Sequence, residues 1–360
     1  FELIKDIFGA HSDVDGDGKV LFLFTHLVDD IGGVAGFFSS SSVLSVENGG
    51  NGNHADMMFI SPTSSLSFSR SLLVHEFQHL INFNQHVIVR SGDYEVSWLN
   101  EGLSHLSEDL VDGFQDGGNQ GLVRGFLQQP GTVGLMGDAI LNTSMRGAAY
   151  LFVRSLVDRL GQDVIRRLVQ TGMSGYDNVE TASGEKFKDL LVAWVAQLYA
   201  SGTGLAEHPR LNYTFEPLHS SAGRNFLLPT ALQFNPINGP VSGAIRASGV
   251  NFVEVSGKGI TTVNIETETA GQIGAVVLPM LGNFFPALYP GVTLDTSVPS
   301  QLNTGTSFNI SGTVIDTSVT TIEFEFSPIE SRYSSSKYRG EISTTVSGKT
   351  CQPWNEQLPH

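Results

Sequence analysis

The sequence predicts an α+β chain with its helices gathered in the middle and its strands towards both ends. Three observations carry this. Apolar runs between Gly- and Ser-rich turns fill the first sixty residues. Apolar residues at helical 3–4 spacing recur from about 65 to 200. Short alternating segments punctuated by turn residues follow from 241 onward. The expected layout is a β-rich lobe (1–62), a helical lobe (63–205), a linker (206–228) and an all-β region (229–360).

In the first lobe, VLFLF (20–24) reads as a buried strand and DMMFI (56–60) as another, with GGVAG, SSSS and NGGNGN as turns between them. Past Pro62 the pattern turns helical. Leu72, Leu73, Phe77, Leu80 and Ile81 share one face of a helix over 65–86, with Ser and Thr near 63–67 to cap it. A second helix is expected over WLNEGLSHLSEDLV (98–111). Leu99, Leu103, Leu106 and Leu110 form one stripe, and Glu101, His105 and Glu108 the opposite one. DGFQDGGNQG (112–121) reads as a loop. MRGAAYLFVRSLVDRLG (145–161) reads as a helix stopped by Gly161. Helical patterns continue through 162–172 and 185–200. HPRLNYTFEP (208–217) belongs to the linker. Seven strands are then expected, at 241–247, 251–257, 261–268, 273–279, 292–298, 307–316 and 321–327. They suggest one Ig-like β-sandwich, or two small β modules split near Pro286–Pro290.

A chain of 360 residues with 40% hydrophobic content can build a large core in more than one domain. Its net charge of −16 repels phosphate backbones, which argues against nucleic-acid partners. The single cysteine, Cys351, permits no internal disulfide and reads as an ordinary residue. No apolar run is long enough to span a membrane. The sequence starts at Phe1 rather than Met, so a matured N-terminus with any export signal upstream is expected. A monomer is the expected state.

The chemistry concentrates in VHEFQHLINFNQH (74–86). HEFQH places His75 and His79 one helical turn apart on a single face, where two imidazoles can bind one Zn²⁺. Glu76 projects about 100° round the axis, towards an open coordination position, where it can take a proton from water. A catalytic zinc needs a third protein ligand. His86 is nearest, but the glycine that would turn the chain back is missing; Asn82 stands in its place. Glu101 is the better ligand. It lies 22 residues after His79, on the polar stripe of the next helix.

HEFQHLINF followed by SWLNEGLSHLSEDL and RGAAYLFVRSLVDRLG resembles the hyicolysin family of bacterial neutral metallopeptidases, grouped with the thermolysin-like gluzincins. The resemblance reaches back to DVDGDGKVLFLF and covers roughly residues 10–200. It implies a two-lobed zinc peptidase with the metal in a cleft, protein or peptide substrates, and a secreted, cell-surface or periplasmic bacterial location. By the same resemblance His75, His79 and Glu101 match the ligands and Glu76 the general base. Relatives often place Asp four residues after the ligand Glu, to orient the first histidine; here His105 stands there, and Glu108 is the expected substitute. Relatives also use a Tyr or His to steady the oxyanion; Tyr150, Tyr94 and Arg146 are the candidates here. A second reading stays open, an exported binding or adhesion protein with a silent or structural zinc site.

DVDGDGK (13–19) is the first half of an EF-hand loop. Asp13, Asp15 and Asp17 are candidate Ca²⁺ ligands, although the twelfth position is Phe24 rather than Glu.

Overall fold

The computed structural model describes residues 1–63, 66–116, 118–140, 142–201, 213–214, 229–246, 248–255, 260–267, 275–277, 287–289, 306–316 and 322–328. The chain is mixed helix and strand. Its contacts divide it into two units, one of Phe1–Ala231, Ile245–Phe252 and Gln272–Gly305, the other of Leu232–Ala244, Val253–Gly271 and Thr306–His360.

The first unit begins with helix α1 (Glu2–Phe8), β1 (Leu21–Phe24), α2 (Leu27–Ile31), β2 (Gly36–Phe38), α3 (Ser40–Val43) and β3 (Met57–Ile60). The strands form a small sheet in the order β1-β3-β2, with β1 parallel and β2 antiparallel to β3. Two expectations are corrected here. The lobe read as β-rich carries three helices beside its three strands. And β1 is not buried: it pairs only with β3, leaving Leu21 and Phe24 more than half exposed. A short apolar run shows that a strand is favoured but not whether it sits at the edge or the centre of its sheet.

Seven helices follow: α4 (Leu66–Phe83), α5 (Ser97–Asp116), α6 (Asn119–Gln128), α7 (Thr143–Leu160), α8 (Asp163–Val169), α9 (Gly175–Ser183) and α10 (Phe187–Ala200). The loop expected over 112–121 is shorter than read: the chain leaves helical geometry at Gly113 (φ 81°, ψ 166°), within the span of α5, and again at Gly118 (φ 89°), just before α6. Asn142 caps α7 by accepting from the Ser144 and Met145 N–H groups, and Gly161 ends that helix. Leu80, Ile81, Leu99, Leu103 and Leu106 are wholly buried in one core with Phe126, Phe152 and Trp194. Each such side chain contributes about 1.5–3 kcal/mol.

Two glycines let α7 come close to its neighbours. A Cβ on Gly102 of α5 would lie 2.8 Å from the Ala149 carbonyl oxygen, and one on Gly147 would lie 2.2 Å from that of Leu122 in α6. The close approach at Gly102 fixes the backbone beside Glu101. No helix among the described residues is long and apolar enough to cross a membrane.

The remaining strands are β4 (Ala231–Phe234), β5 (Val241–Ile245), β6 (Phe252–Val255), β7 (Ile260–Thr267), β8 (Ala275–Val277), β9 (Ala287–Tyr289), β10 (Thr306–Asp316) and β11 (Ile322–Pro328). Six of them fall where strands were expected. The second unit carries a four-stranded sheet in the order β11-β7-β10-β5, with β10 antiparallel and β11 parallel to β7. The strand expected at 292–298, Cys351 and nearly all of the linker lie outside the described residues.

Candidate metal centre

Helix α4 is two-sided. Phe77, Leu80 and Ile81 face the core, while His75, Glu76 and His79 line a cavity of about 580 Å³. The one-turn spacing brings the two Nε2 atoms to 3.1 Å. Helix α5 supplies the partner from its polar stripe. Glu101 Oε1 lies 3.5 Å from His79 Nε2, and Glu101 Oε2 lies 3.5 Å from His75 Nε2. Donors on a tetrahedral zinc with bonds of about 2.0–2.1 Å stand about 3.3 Å apart, so the three side chains fit such an ion. Glu101 Oε2 is buried and accepts no hydrogen bond among the described residues; Arg146 Nε is 3.3 Å away.

The next shell of side chains orients the rings. His75 Nδ1 is 2.8 Å from Glu108 Oε1. His79 Nδ1 is 3.0 Å from Ser104 Oγ, which itself donates to Gln78 Oε1 at 2.5 Å. These contacts turn both Nε2 atoms towards Glu101, as metal-binding histidines require. Glu76 sits apart from this set. Its Oε2 accepts the Phe38 N–H at 2.7 Å, which ties it to strand β2.

Charge in the cluster is coupled. Burial alone would lower the pKa of His75, but Glu101 and Glu108 outweigh it and push the imidazole up to about 10. Burial would raise Glu101, yet His75 and His79 hold it well below the usual carboxylate range. Glu108 is likewise lowered against its burial, by His105 first and then His75. A cation is what these carboxylates call for, and without a metal a proton on His75 takes that part.

His86 does not join the cluster. It lies seven residues past His79, about 10 Å along an ideal axis. A π-helical turn over Asn84–Ile88 continues α4, and His86 Nε2 packs 3.2 Å from the Leu168 carbonyl oxygen. Tyr150 is corrected as an oxyanion donor. It is fully buried, does not line the cavity, stacks on Phe114 and sets its hydroxyl against Asp109. Tyr94 and Arg146 do line the cavity. The Arg146 guanidinium donates to the Ala139 and Ile140 carbonyls, each at 2.9 Å.

Asp13, Asp15 and Asp17 gather in one exposed turn. Their carboxylates accept the backbone N–H groups of Gly18, Asp17 and Lys19. The turn is thus held by its own backbone.

The sequence reading did not weigh His105 as a possible metal donor. It lies on the same stripe as Glu101, is buried, and forms with His75 and Glu101 a group whose donor atoms all lie within 4.8 Å of one another. The i, i+4 step from Glu101 was the available signal.

A stretch of this chain is 29% identical over 122 residues to the neutral metalloprotease ShpI of Staphylococcus hyicus, covering 30% of this chain and 27% of that protein. The matched stretch thus spans about a quarter of that relative's length. It relates part of the chain to a metallopeptidase. No family model matches the chain.

Proposed function

We propose that the chain is a secreted zinc-dependent endopeptidase of hyicolysin type, with His75, His79 and Glu101 as metal ligands and Glu76 as general base. The observation that carries this is the meeting of two Nε2 atoms and one carboxylate at separations of 3.1–3.5 Å, in a cavity that also holds a non-ligating glutamate. The likeness of part of the chain to a neutral metalloprotease agrees with it.

When bound, zinc supplies Lewis acidity, polarising a carbonyl oxygen and acidifying water. The protein's own residues do the rest. Glu108 and Ser104 hold the two imidazoles in the ligating orientation. Glu76, steadied by the Phe38 N–H, takes a proton from the attacking water and passes it to the leaving amine. Strand β2 is an edge of the described sheet and borders the cavity, so an extended peptide can lie along it by backbone pairing. Phe38, Leu72 and Phe83 offer an apolar wall for a side chain. Tyr94 and Arg146 are the cavity groups able to donate to a developing oxyanion.

The test is casein cleavage and zinc content for wild type and Glu76→Gln. Cleavage by the wild type, lost in the variant while zinc stays bound, is the expected result. Full cleavage by Glu76→Gln removes that residue from the mechanism. No cleavage by either protein, with zinc bound to both, selects a second reading: an exported binding protein with a silent zinc centre. One observation favours that alternative: His105 adds an imidazole whose donor atom groups with those of His75 and Glu101 within 4.8 Å.

A further inference from the structure

We propose that Asn100 is a substrate-binding residue whose side-chain amide donates to a main-chain carbonyl of the peptide. This deepens the peptidase reading and rests on it. Asn100 is half-buried on α5, lines the cavity and directly precedes Glu101. Asn82 meets it from α4, three residues after His79. Asn82 Nδ2 donates to Asn100 Oδ1 at 2.7 Å. That bond occupies the oxygen of Asn100 and fixes the plane of its amide, so the donor end is left over. Asn100 Nδ2 makes no hydrogen bond among the described residues, and solvent reaches it. Asn82 bears a cost for this arrangement. It is 2% exposed, and its own Oδ1 is buried without a partner among the described residues. A pair of leucines would join the two helices without that loss. The amide pair is therefore more than a tie between α4 and α5: it aims an N–H into the cleft.

The geometry of an extended substrate calls for such a donor. An extended peptide shows N–H and C=O groups along both of its edges. Pairing with strand β2 serves one edge. The other edge faces away from β2, and its carbonyls lose water on entering the cavity, so each needs a donor from the wall. β2 meets α4 through the Phe38 N–H on Glu76, whereas α5 meets α4 through Asn100 on Asn82. The strand and Asn100 thus reach the cavity from different neighbours of α4. Arg146 already donates to the Ala139 and Ile140 carbonyls, and Tyr94 is 56% exposed. Asn100 offers a neutral N–H held in place before the peptide arrives, which lowers the ordering cost of binding. Every residue type carries a main-chain carbonyl, so this contact selects an extended backbone rather than a particular side chain.

The test is cleavage of a casein-derived hexapeptide by the zinc-loaded full chain, with a thioamide replacing one non-scissile carbonyl at a time. Sulfur is the weaker acceptor. Asn100→Ala is expected to lower kcat/KM for the unmodified peptide by about 2–10-fold, mainly through KM. One thioamide position is expected to cost the wild type a similar factor and to cost Asn100→Ala nothing further, the sign that the two groups are coupled. Zinc affinity, read by competition with a chromophoric chelator, is expected to stay at the wild-type value. Asn100→Asp keeps the oxygen that faces Asn82 and loses the N–H, so it is expected to lose the same coupling, and it serves if the alanine variant does not fold. A mere tie between α4 and α5 would instead weaken zinc binding in Asn82→Ala and Asn100→Ala alike, with each thioamide costing variant and wild type equally; that result overturns the proposal. Wild-type efficiency in Asn100→Asp overturns it as well. A wild type that cleaves, beside an Asn100→Ala that cleaves equally well, removes this proposal alone. A zinc-loaded wild type that cleaves no peptide removes the peptidase reading and this proposal with it.

Discussion

Two buried histidine–carboxylate groups line the same cavity, and they are built to opposite ends. In one, Glu101 and Glu108 stand among His75, His79 and His105, and the inward atoms lack the donors they need. In the other, Glu95 stands 4.0 Å from His86, and its carboxylate is served by the Gly175 N–H at 2.7 Å and the Asn178 amide at 2.7 Å. The electrostatics follow. His75 is pushed up to about 10 and Glu101 is lowered, so that centre favours its charged forms. Burial lowers His86 and raises Glu95 to about 7, so the second group favours its neutral forms. The same residue types give a centre that favours its charged forms in one place and a group that favours its neutral forms in the other.

The sharpest way to break this contrast is to change one carboxylate in each group. Glu101→Ala is expected to lower zinc affinity by more than about 100-fold, beyond what an outer partner costs, whereas Glu95→Gln leaves one zinc per chain bound. Equal losses in a chelator competition would erase the distinction. Glu76→Gln is expected to reduce casein hydrolysis by about 10²–10⁴-fold with zinc retained, the usual range for a general base.

Glu108→Gln tests the outer contacts. Zinc affinity is expected to fall about 10–100-fold, since two imidazoles lose their orientation at once. An unchanged affinity would mean that neither ring depends on it.

Glu95 gives the contrast a pH axis. Its pKa is raised from 4.5 to about 7, mainly by burial. Between those values the folded state binds more protons than the unfolded chain, so its contribution is fully present below pH 4.5 and is lost as pH rises through 7. Glu95→Gln is expected to flatten that slope in denaturant melts taken between pH 5 and 8. A slope retained in the variant would assign it to another group.

Gly102→Ala is the mildest probe. Its new Cβ would press on the Ala149 carbonyl and push α5 from α7, costing about 1–3 kcal/mol in stability. Zinc affinity should drop with it, because Glu101 is the next residue. A stable variant with full affinity would show that the close crossing does not set the site.

Much of this was legible in the sequence because it is periodic. The i, i+4 spacing of His75 and His79, and the opposed stripes on 98–111, follow from helix geometry alone, and so does the facing of Glu101 and Glu108 towards polar partners. What escaped has physical causes. His105 was weighed only as standing where relatives place Asp, because nothing local says that its ring shares the Glu108 carboxylate with His75. Tyr150 was offered to the cavity because its helix is apolar on several faces, and a single sequence does not show which face packs on which neighbour. Helix α1 is only seven residues long, too short for its pattern to stand out. The edge position of β1 depends on the distant pairing with β3.

The central claim is that this cluster holds one zinc ion. Titration of metal-stripped protein with zinc against a chromophoric chelator, for wild type, His75→Ala and His86→Ala, tests it most directly. The account predicts one tight site per chain in the wild type and in His86→Ala, and none in His75→Ala. A site that survives His75→Ala, or is absent from the wild type, would contradict it.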